Sequence, residues 1–486
     1  MRANKRPGLR SKRHTKIVCT IGPATRSQDA VAKLLRAGMD VARLNFSHGS
    51  RDEHARNITD IRAVEQQVGR PIGILQDLAG VKLRVGELPQ EGIELRPRSE
   101  VVLSPSARAK PGQIPVALAD LPRALSTGQR LLLGDGNIEL VVLEAREKEV
   151  RCRVRAGGVV KPHESLHVPD VELPIEAVTK QDISDLRFGL EHGVDWVAMS
   201  FVRGPDDLAK LRRHMKRAGR QVPLMAKIER HEAIDNLDAI IETADGVMVA
   251  RGDLGIELRL DRVPMLQKDI IGRCNTAGKP VVTATQMLET MIRSPRPTRA
   301  EVSDIANAVL DGTDAVMLSG ETAVGSYPIE ATKVMAQVAE RAEAGFDFQE
   351  RLLESSQWPC RTMTDGISQA TVSLAHDLKA RAIITATSTG HTALMVAMHR
   401  PGVPIIAATP DVATQRRLTL AWGVYPVLAP RGRNTDEMIV NAIDRARAAG
   451  LVRQQDVVVV TAGVPPGVPG RTNLIKVEAV GQHHVF

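Results

Sequence analysis

The chain has 486 residues, 43% of them hydrophobic and 25% charged, which is too long for one ordinary core and patterned as a globular protein of two or three domains. No apolar run approaches the ~18 residues of a membrane span, the start has no signal-peptide stretch, and Cys19, Cys152, Cys274 and Cys360 form no CxxC pair; a zinc framework is excluded and reduced thiols in a cytoplasm are expected. The net charge is +8, and the first sixteen residues hold seven Lys or Arg and no acid, read as a solubilising basic tail over 1–14; with only 2% aromatics for base stacking, no nucleic-acid partner is expected.

Short apolar runs follow, each ending on polar residues: TKIVCTIG from 15, DVARLNFSHG from 40, PIGILQDL from 71, VDWVAMSF from 194, PLMAKIE from 223, GVMVARGD from 246, PVVTATQ from 280 and AVMLSGE from 315. Between most of them lie helical patterns such as SQDAVAKLLRAG, with apolar residues recurring at three and four. Eight such strands alternating with helices predict an α/β fold, a (β/α)8 TIM barrel over 15–86 and 173–345, with its chemistry at the carboxyl ends of the strands. Residues 87–172 break the rhythm with Pro and Gly punctuation and alternating stretches such as EVVLSPS and EVRCRVRAG, which predicts an inserted all-β lid. From 346 to 486 a new alternation (ARAIITAT, VPIIAAT, VYPVLAP, DVVVVTAG, NLIKVEAV) predicts a five-stranded mixed sheet in a C-terminal α/β effector domain.

The candidate site collects at strand ends. In AKIER, Lys227 and Glu229 stand two apart and point the same way. In ARGDLGIE, Asp253 ends the next strand, and the amides at Gly252 and Asp253 open a helix suited to an anion. Two carboxylates from neighbouring strands beside an amine suit a metal-held phosphoryl group, with hard oxygen ligands for the ion and an ammonium for the charge developing in transfer. Thr285 adds a hydroxyl that bonds a substrate carboxylate or passes a proton. ARLNFSHG adds Arg43, Asn45, Ser47 and His48 near Asp77.

Together TKIVCTIGPAT, ARLNFSHG, AKIER, ARGDLGIE, the long block ATQMLETMIRSPRPTRAEVSDIANAVLDGTDAVMLSGETAVGSYP and TAGVPPGVPGRTN resemble the pyruvate kinase family, from about residue 14 to 482. The resemblance implies transfer of a phosphoryl group from phosphoenolpyruvate to ADP, giving pyruvate and ATP in glycolysis, a barrel with a β lid after its third strand, and a homotetramer under a phosphorylated allosteric effector. It further implies Glu229 and Asp253 as ligands of magnesium or manganese, and Lys227 and Arg43 as clamps on the phosphoryl group. Gly252, Asp253 and Thr285 are implied on the substrate side, Ser319 in a proton relay, and Asn45, His48 and Arg84 on the nucleotide side. Asp135 resembles the lid acid that closes over substrate, and Thr387, Ser388, Thr389, Gly390 and Thr392 resemble an effector-phosphate loop.

Two departures from the family pattern stand out. Most relatives read Asp-Thr-Lys-Gly-Pro-Glu where this chain reads Asp77-Leu78-Ala79-Gly80-Val81-Lys82, and they bind potassium with the positions of Asn45, Ser47, Asp77 and Leu78. A lysine in place of that glutamate resembles members that work without potassium: a tethered ammonium ~4 Å from a phosphoryl oxygen interacts by roughly 4 kcal/mol at an effective dielectric near 20. The lid, with His163 and Glu164, lacks the paired basic residues common there, and Lys161 is the one candidate to compensate. Two competing readings, a barrel lyase sharing the metal carboxylates and a ligand-binding relative without turnover, explain less, because the first needs neither Lys227 nor a lid and the second predicts loss of Lys227, Glu229 or Asp253.

Overall fold

The computed structural model describes residues 13–106, 110–134, 136–169, 171, 173–465 and 472–481. All eight apolar runs are strands: β1 (Lys16–Thr20), β2 (Val41–Asn45), β3 (Gly73–Asp77), β4 (Trp196–Met199), β5 (Leu224–Ile228), β6 (Gly246–Ala250), β7 (Val281–Ala284) and β8 (Ala315–Leu318). Each pairs in parallel with its chain neighbours, and β8 pairs with β1, closing the barrel. Their continuous apolar character has a direct cause: one set of side chains (Val18, Leu75, Met225, Met248, Met317) fills the interior, while the alternate set (Ile17, Ile74, Val247, Val281, Val316) packs outward against the helices. Capping boxes at Ser50/Glu53, Thr179/Asp182 and Thr298/Glu301 start three of those helices by satisfying backbone N–H groups that have no partner within the helix.

Among the described residues the stretch after β3 is all-β apart from one short helix, Leu121–Ala124. A six-stranded sheet runs, edge to edge, through Leu166–His167, Arg130–Leu133, Ile138–Arg146, Glu149–Ala156, Glu100–Ser104 and Gln113–Pro115, and a two-stranded sheet pairs Ile93–Leu95 with Gly158–Val160. Single bridges Arg84–Ser165 and Val85–Val116 tie its stalk together. Its own core includes Leu103, Leu131, Leu140 and Val150 and extends to Val85 and Leu173 beside the barrel.

The C-terminal sheet has the five expected strands, ordered Val424–Leu428, Ile405–Thr409, Ala382–Ala386, Val457–Ala462 and Leu474–Ala479, the last antiparallel to its neighbour. This unit sits against the end of the barrel opposite the strand carboxyl termini. Leu420 enters the barrel's interior cluster, the Trp196 indole N–H donates to the Arg417 carbonyl at 3.1 Å, and buried Arg400 pairs with Asp314 at 2.9 Å. Residues 1–12 of the expected basic tail lie outside the described residues. Its last two are not tail-like: Arg13 is buried in an ion pair with Asp40 at 2.9 Å, and the buried His14 ring stacks on Trp422 at 4.5 Å. Among the described residues no helix is long and apolar enough to cross a membrane.

Candidate active site

The carboxyl ends of β1 to β6 converge on one buried ion network. Asp77, at the end of β3, is 1% exposed. It accepts from Arg43 Nε of β2 at 2.7 Å and lies 3.2 Å from Lys227 Nζ of β5. Arg43 also donates to the Thr20 hydroxyl of β1 at 2.9 Å. Lys227 Nζ reaches Glu229 Oε1 at 2.9 Å and the Ser200 hydroxyl at 2.7 Å, so its three N–H groups have three acceptors. Burial works against both charges, pushing the Asp77 carboxyl up and the Lys227 ammonium down. Lys227 and Arg43 outweigh it for Asp77, which is held below the usual carboxylate range, and Asp77 and Glu229 outweigh it for Lys227, which is held above the usual lysine value.

The two expected metal carboxylates differ. Glu229 is buried, accepts from the Phe201 backbone N–H at 2.7 Å, and is held above its ordinary value by burial first, with the Asp253 charge adding to it against Lys227. Asp253 lies in the first turn of the Arg251–Glu257 helix and carries an ion pair from Lys82 Nζ at 2.9 Å. Burial raises its carboxyl, and Lys82, with Lys227 and His167 adding to it, more than reverses that, leaving it low. Lys82 thus does not meet Asp77, its near neighbour in the chain; it crosses to the carboxylate that follows β6, while Asp77 is claimed by Arg43 and Lys227.

Backbone strain concentrates at the same end. Phe201, Thr285 and Gln286 all have positive φ, at 54°, 70° and 54°, conformations costing of order 1–3 kcal/mol for non-glycine residues. Thr285 Oγ1 donates to the Ala284 carbonyl at 2.6 Å and accepts from the Gly252 N–H at 2.8 Å, so the amide expected to meet an anion bonds this hydroxyl. Gly80 (φ 66°) packs where a Cβ would stand 3.0 Å from both Ser200 and the Phe201 ring. The Ser319 hydroxyl is buried without a hydrogen-bond partner among the described residues, and the Ser319 N–H donates to Glu321 at 2.7 Å.

The positions expected on the nucleotide side lie at the rim. Asn45 Oδ1 accepts from the Ser47 N–H at 3.2 Å, Ser47 and His48 are exposed, and Arg84 donates to the His163 carbonyl at 2.9 Å. Asp135 lies outside the described residues. In the C-terminal unit the Thr387 hydroxyl accepts from the Gly390 N–H at 2.9 Å, Ser388 and Thr389 are exposed, and Thr392 bonds Thr472 at 2.8 Å.

Sequence reading missed Ser200, Phe201, Thr20 and Glu321. The rule that barrel chemistry lies at strand carboxyl ends marks Ser200, which follows β4 directly. Nothing local marks Glu321, whose two oxygens tie the Leu288 and Ser319 amides at 3.0 and 2.7 Å.

The family description "Pyruvate kinase, barrel domain" matches residues 12–332, and "Pyruvate kinase, alpha/beta domain" matches 365–478. A pyruvate kinase of Geobacillus stearothermophilus is 46% identical over 473 residues, covering 96% of this chain and 81% of its own. One from Clostridium acetobutylicum is 43% identical, covering 96% and 99%. The chain belongs to the pyruvate kinase family. The crystal structure of a pyruvate kinase from Cryptosporidium parvum superimposes with a TM-score of 0.92 at 34% identity, over 96% of both chains. The protein is therefore a phosphotransferase enzyme.

Pyruvate kinases generally need a divalent metal, and the donors here fit one. Among the described residues no group of three or more His, Cys, Asp or Glu could enclose an ion. What the site offers is two carboxylates close enough for Asp253 to raise Glu229, a sparse hard-oxygen set of the kind that suits a divalent cation.

Proposed function

We propose that this site transfers the phosphoryl group of phosphoenolpyruvate to ADP, yielding pyruvate and ATP. The observation that carries the reading is the Lys227 ammonium, fixed between Asp77, Ser200 and Glu229, with the Asp253 carboxylate on the same side. A buried ammonium held by fixed acceptors needs no reorganisation when charge develops on the transferred oxygens, which is where electrostatic catalysis is strongest. Arg43, braced by Asp77 and Thr20, supplies the second cation. Glu229 and Asp253 would hold magnesium or manganese, which when bound neutralises phosphoryl and enolate oxygens. Thr285 and Gly252, now bonded to each other, serve the substrate carboxylate, and Thr285 and Ser319 are the hydroxyls we assign to returning a proton to the enolate carbon. Asn45, His48 and Arg84 serve the nucleotide.

In this reading Lys82 stands in for potassium. Three of the four positions expected to hold that ion have oxygens already engaged: Asp77 with Arg43 and Lys227, the Leu78 carbonyl with the Ser200 hydroxyl at 2.7 Å, and Asn45 Oδ1 with the Ser47 amide. The Thr387–Thr392 loop is the proposed seat of a phosphorylated effector, acting through a homotetramer. Coupled detection of pyruvate from phosphoenolpyruvate, ADP and magnesium tests the reaction. Lys227→Met should lower the rate at least a thousandfold, and a purified wild type that forms no pyruvate, with or without potassium and sugar-phosphate effectors, would refute it.

A further inference from the structure

We infer that Ser200 is a positioning residue for phosphoryl transfer: it holds the Lys227 ammonium while Glu229 serves the metal. The inference rests on the function proposed above. A serine hydroxyl has one hydrogen, and the Ser200 hydroxyl has a short carbonyl acceptor for it, Leu78 O at 2.7 Å; the alternative, Asp77 Oδ1, is at 3.4 Å. With its hydrogen engaged there, the oxygen presents lone pairs to Lys227 Nζ at 2.7 Å, the shortest contact the ammonium makes. Its other two acceptors are shared. Glu229 is a proposed metal ligand, and Asp77 is paired to Arg43. When Glu229 turns its charge to a cation, Ser200 is the acceptor that no other charged group contests.

The local backbone is shaped for this task. Ser200 follows β4 and is 2% exposed. The next residue, Phe201, is in the left-handed region and gives its N–H to Glu229 Oε2 at 2.7 Å. One strained turn therefore contacts both members of the Lys227–Glu229 pair. Across from it a Cβ on Gly80 would stand 3.0 Å from Ser200 and the Phe201 ring at a positive φ, and the Gly80 amide is pinned by Asp182 at 3.0 Å. A buried turn in a costly conformation, contacting catalytic groups through both a side chain and an amide, is held there by its surroundings.

The test is kinetic. Ser200→Ala should lower kcat ten- to a hundredfold, with KM for phosphoenolpyruvate and the Mn2+ dissociation constant, read by electron paramagnetic resonance without substrate, within threefold of wild type. Ser200→Thr keeps the hydroxyl and should recover at least a third of the rate. In a Lys227→Met background, Ser200→Ala should change the residual rate by less than twofold, because the serine acts through the lysine. An alanine variant within twofold of wild-type kcat would overturn the inference. So would loss confined to Mn2+ affinity or thermal stability, a threonine variant as slow as alanine with Mn2+ binding intact, or an additive effect in the Lys227→Met background. A wild-type protein that forms no pyruvate would instead overturn the proposed function, and this inference with it.

Discussion

Replacing Lys82 by glutamate reverses one charge at the edge of the catalytic network. Lys82 Nζ and Asp253 Oδ1 are 2.9 Å apart, with side-chain exposures of 27% and 25%. At an effective dielectric near 20 the Coulomb attraction at that distance is about 6 kcal/mol; partial exposure and the cost of desolvation reduce the usable part to about 2–3 kcal/mol. Of that, only the share felt by the transition state and not by bound substrate changes kcat. A loss of about 2 kcal/mol corresponds to roughly a thirtyfold slower reaction. Lys82→Glu restores the acid expected at this position from the family pattern, so under the role proposed for Lys82 added potassium should restore part of that loss. The assay follows pyruvate formation in potassium and in tetramethylammonium at equal ionic strength, which removes general screening as a variable. Wild type should run equally in both, and the variant should run at least tenfold faster in potassium. A wild type that needs potassium, or a variant indifferent to both the substitution and the ion, would refute the assignment.

Gly80→Ala forces a Cβ to 3.0 Å from Ser200 and the Phe201 ring at a φ of 66°; kcat should fall at least tenfold while the circular dichroism spectrum is retained. His14 is held down to about 3, by burial first and then by Lys16, Arg13 and Arg400, so the unfolded chain binds a proton that the folded one refuses between pH 6.5 and 3. Stability therefore rises with pH across that window and is complete above 6.5; at pH 5 the deficit is about 2 kcal/mol, and His14→Phe should flatten the acid side of a Tm-versus-pH curve. Arg400→Met leaves Asp314 buried without its cation and should destabilise by about 3–5 kcal/mol, seen as faster thermal inactivation than in Arg400→Lys.

The barrel was legible because every one of its strands is buried on both faces, which writes an unbroken apolar run into the chain. The C-terminal sheet follows the same logic, and the lid's alternation reflects strands with one wet face, as in the exposure pattern of Glu149–Ala156. Lys227, Glu229 and Asp253 were legible because adjacent strands of a parallel barrel bring their ends together in register. Contacts set by closure rather than by neighbouring strands were not. Lys82 finds an acid 171 positions away, and the His14 and Thr15 amides find Glu343 more than 300 positions on, at 2.7 and 2.6 Å. That pairing turns the end of an apparent tail into part of the buried seam. Ser200 was overlooked because a serine after a strand has the same local pattern whether it faces solvent or an ammonium.

The side chain of Leu420 seated inside the barrel has a bearing on how freely such proteins exchange parts. Its neighbour Trp422 carries the Arg400 guanidinium 5.2 Å from its ring, and the Trp422 backbone N–H donates to Asp314, just before β8, at 3.1 Å. The two family segments, 12–332 and 365–478, look separable on paper, yet the stopper that completes the first belongs to the second. A chimera that swaps the C-terminal unit between relatives must therefore carry its barrel floor along, matching the incoming counterparts of Leu420, Trp422 and Arg400 to the resident Trp196 and Asp314 of the barrel. Grafts cut at the linker alone would leave an apolar hole at one end of the barrel and an unanswered charge beside it.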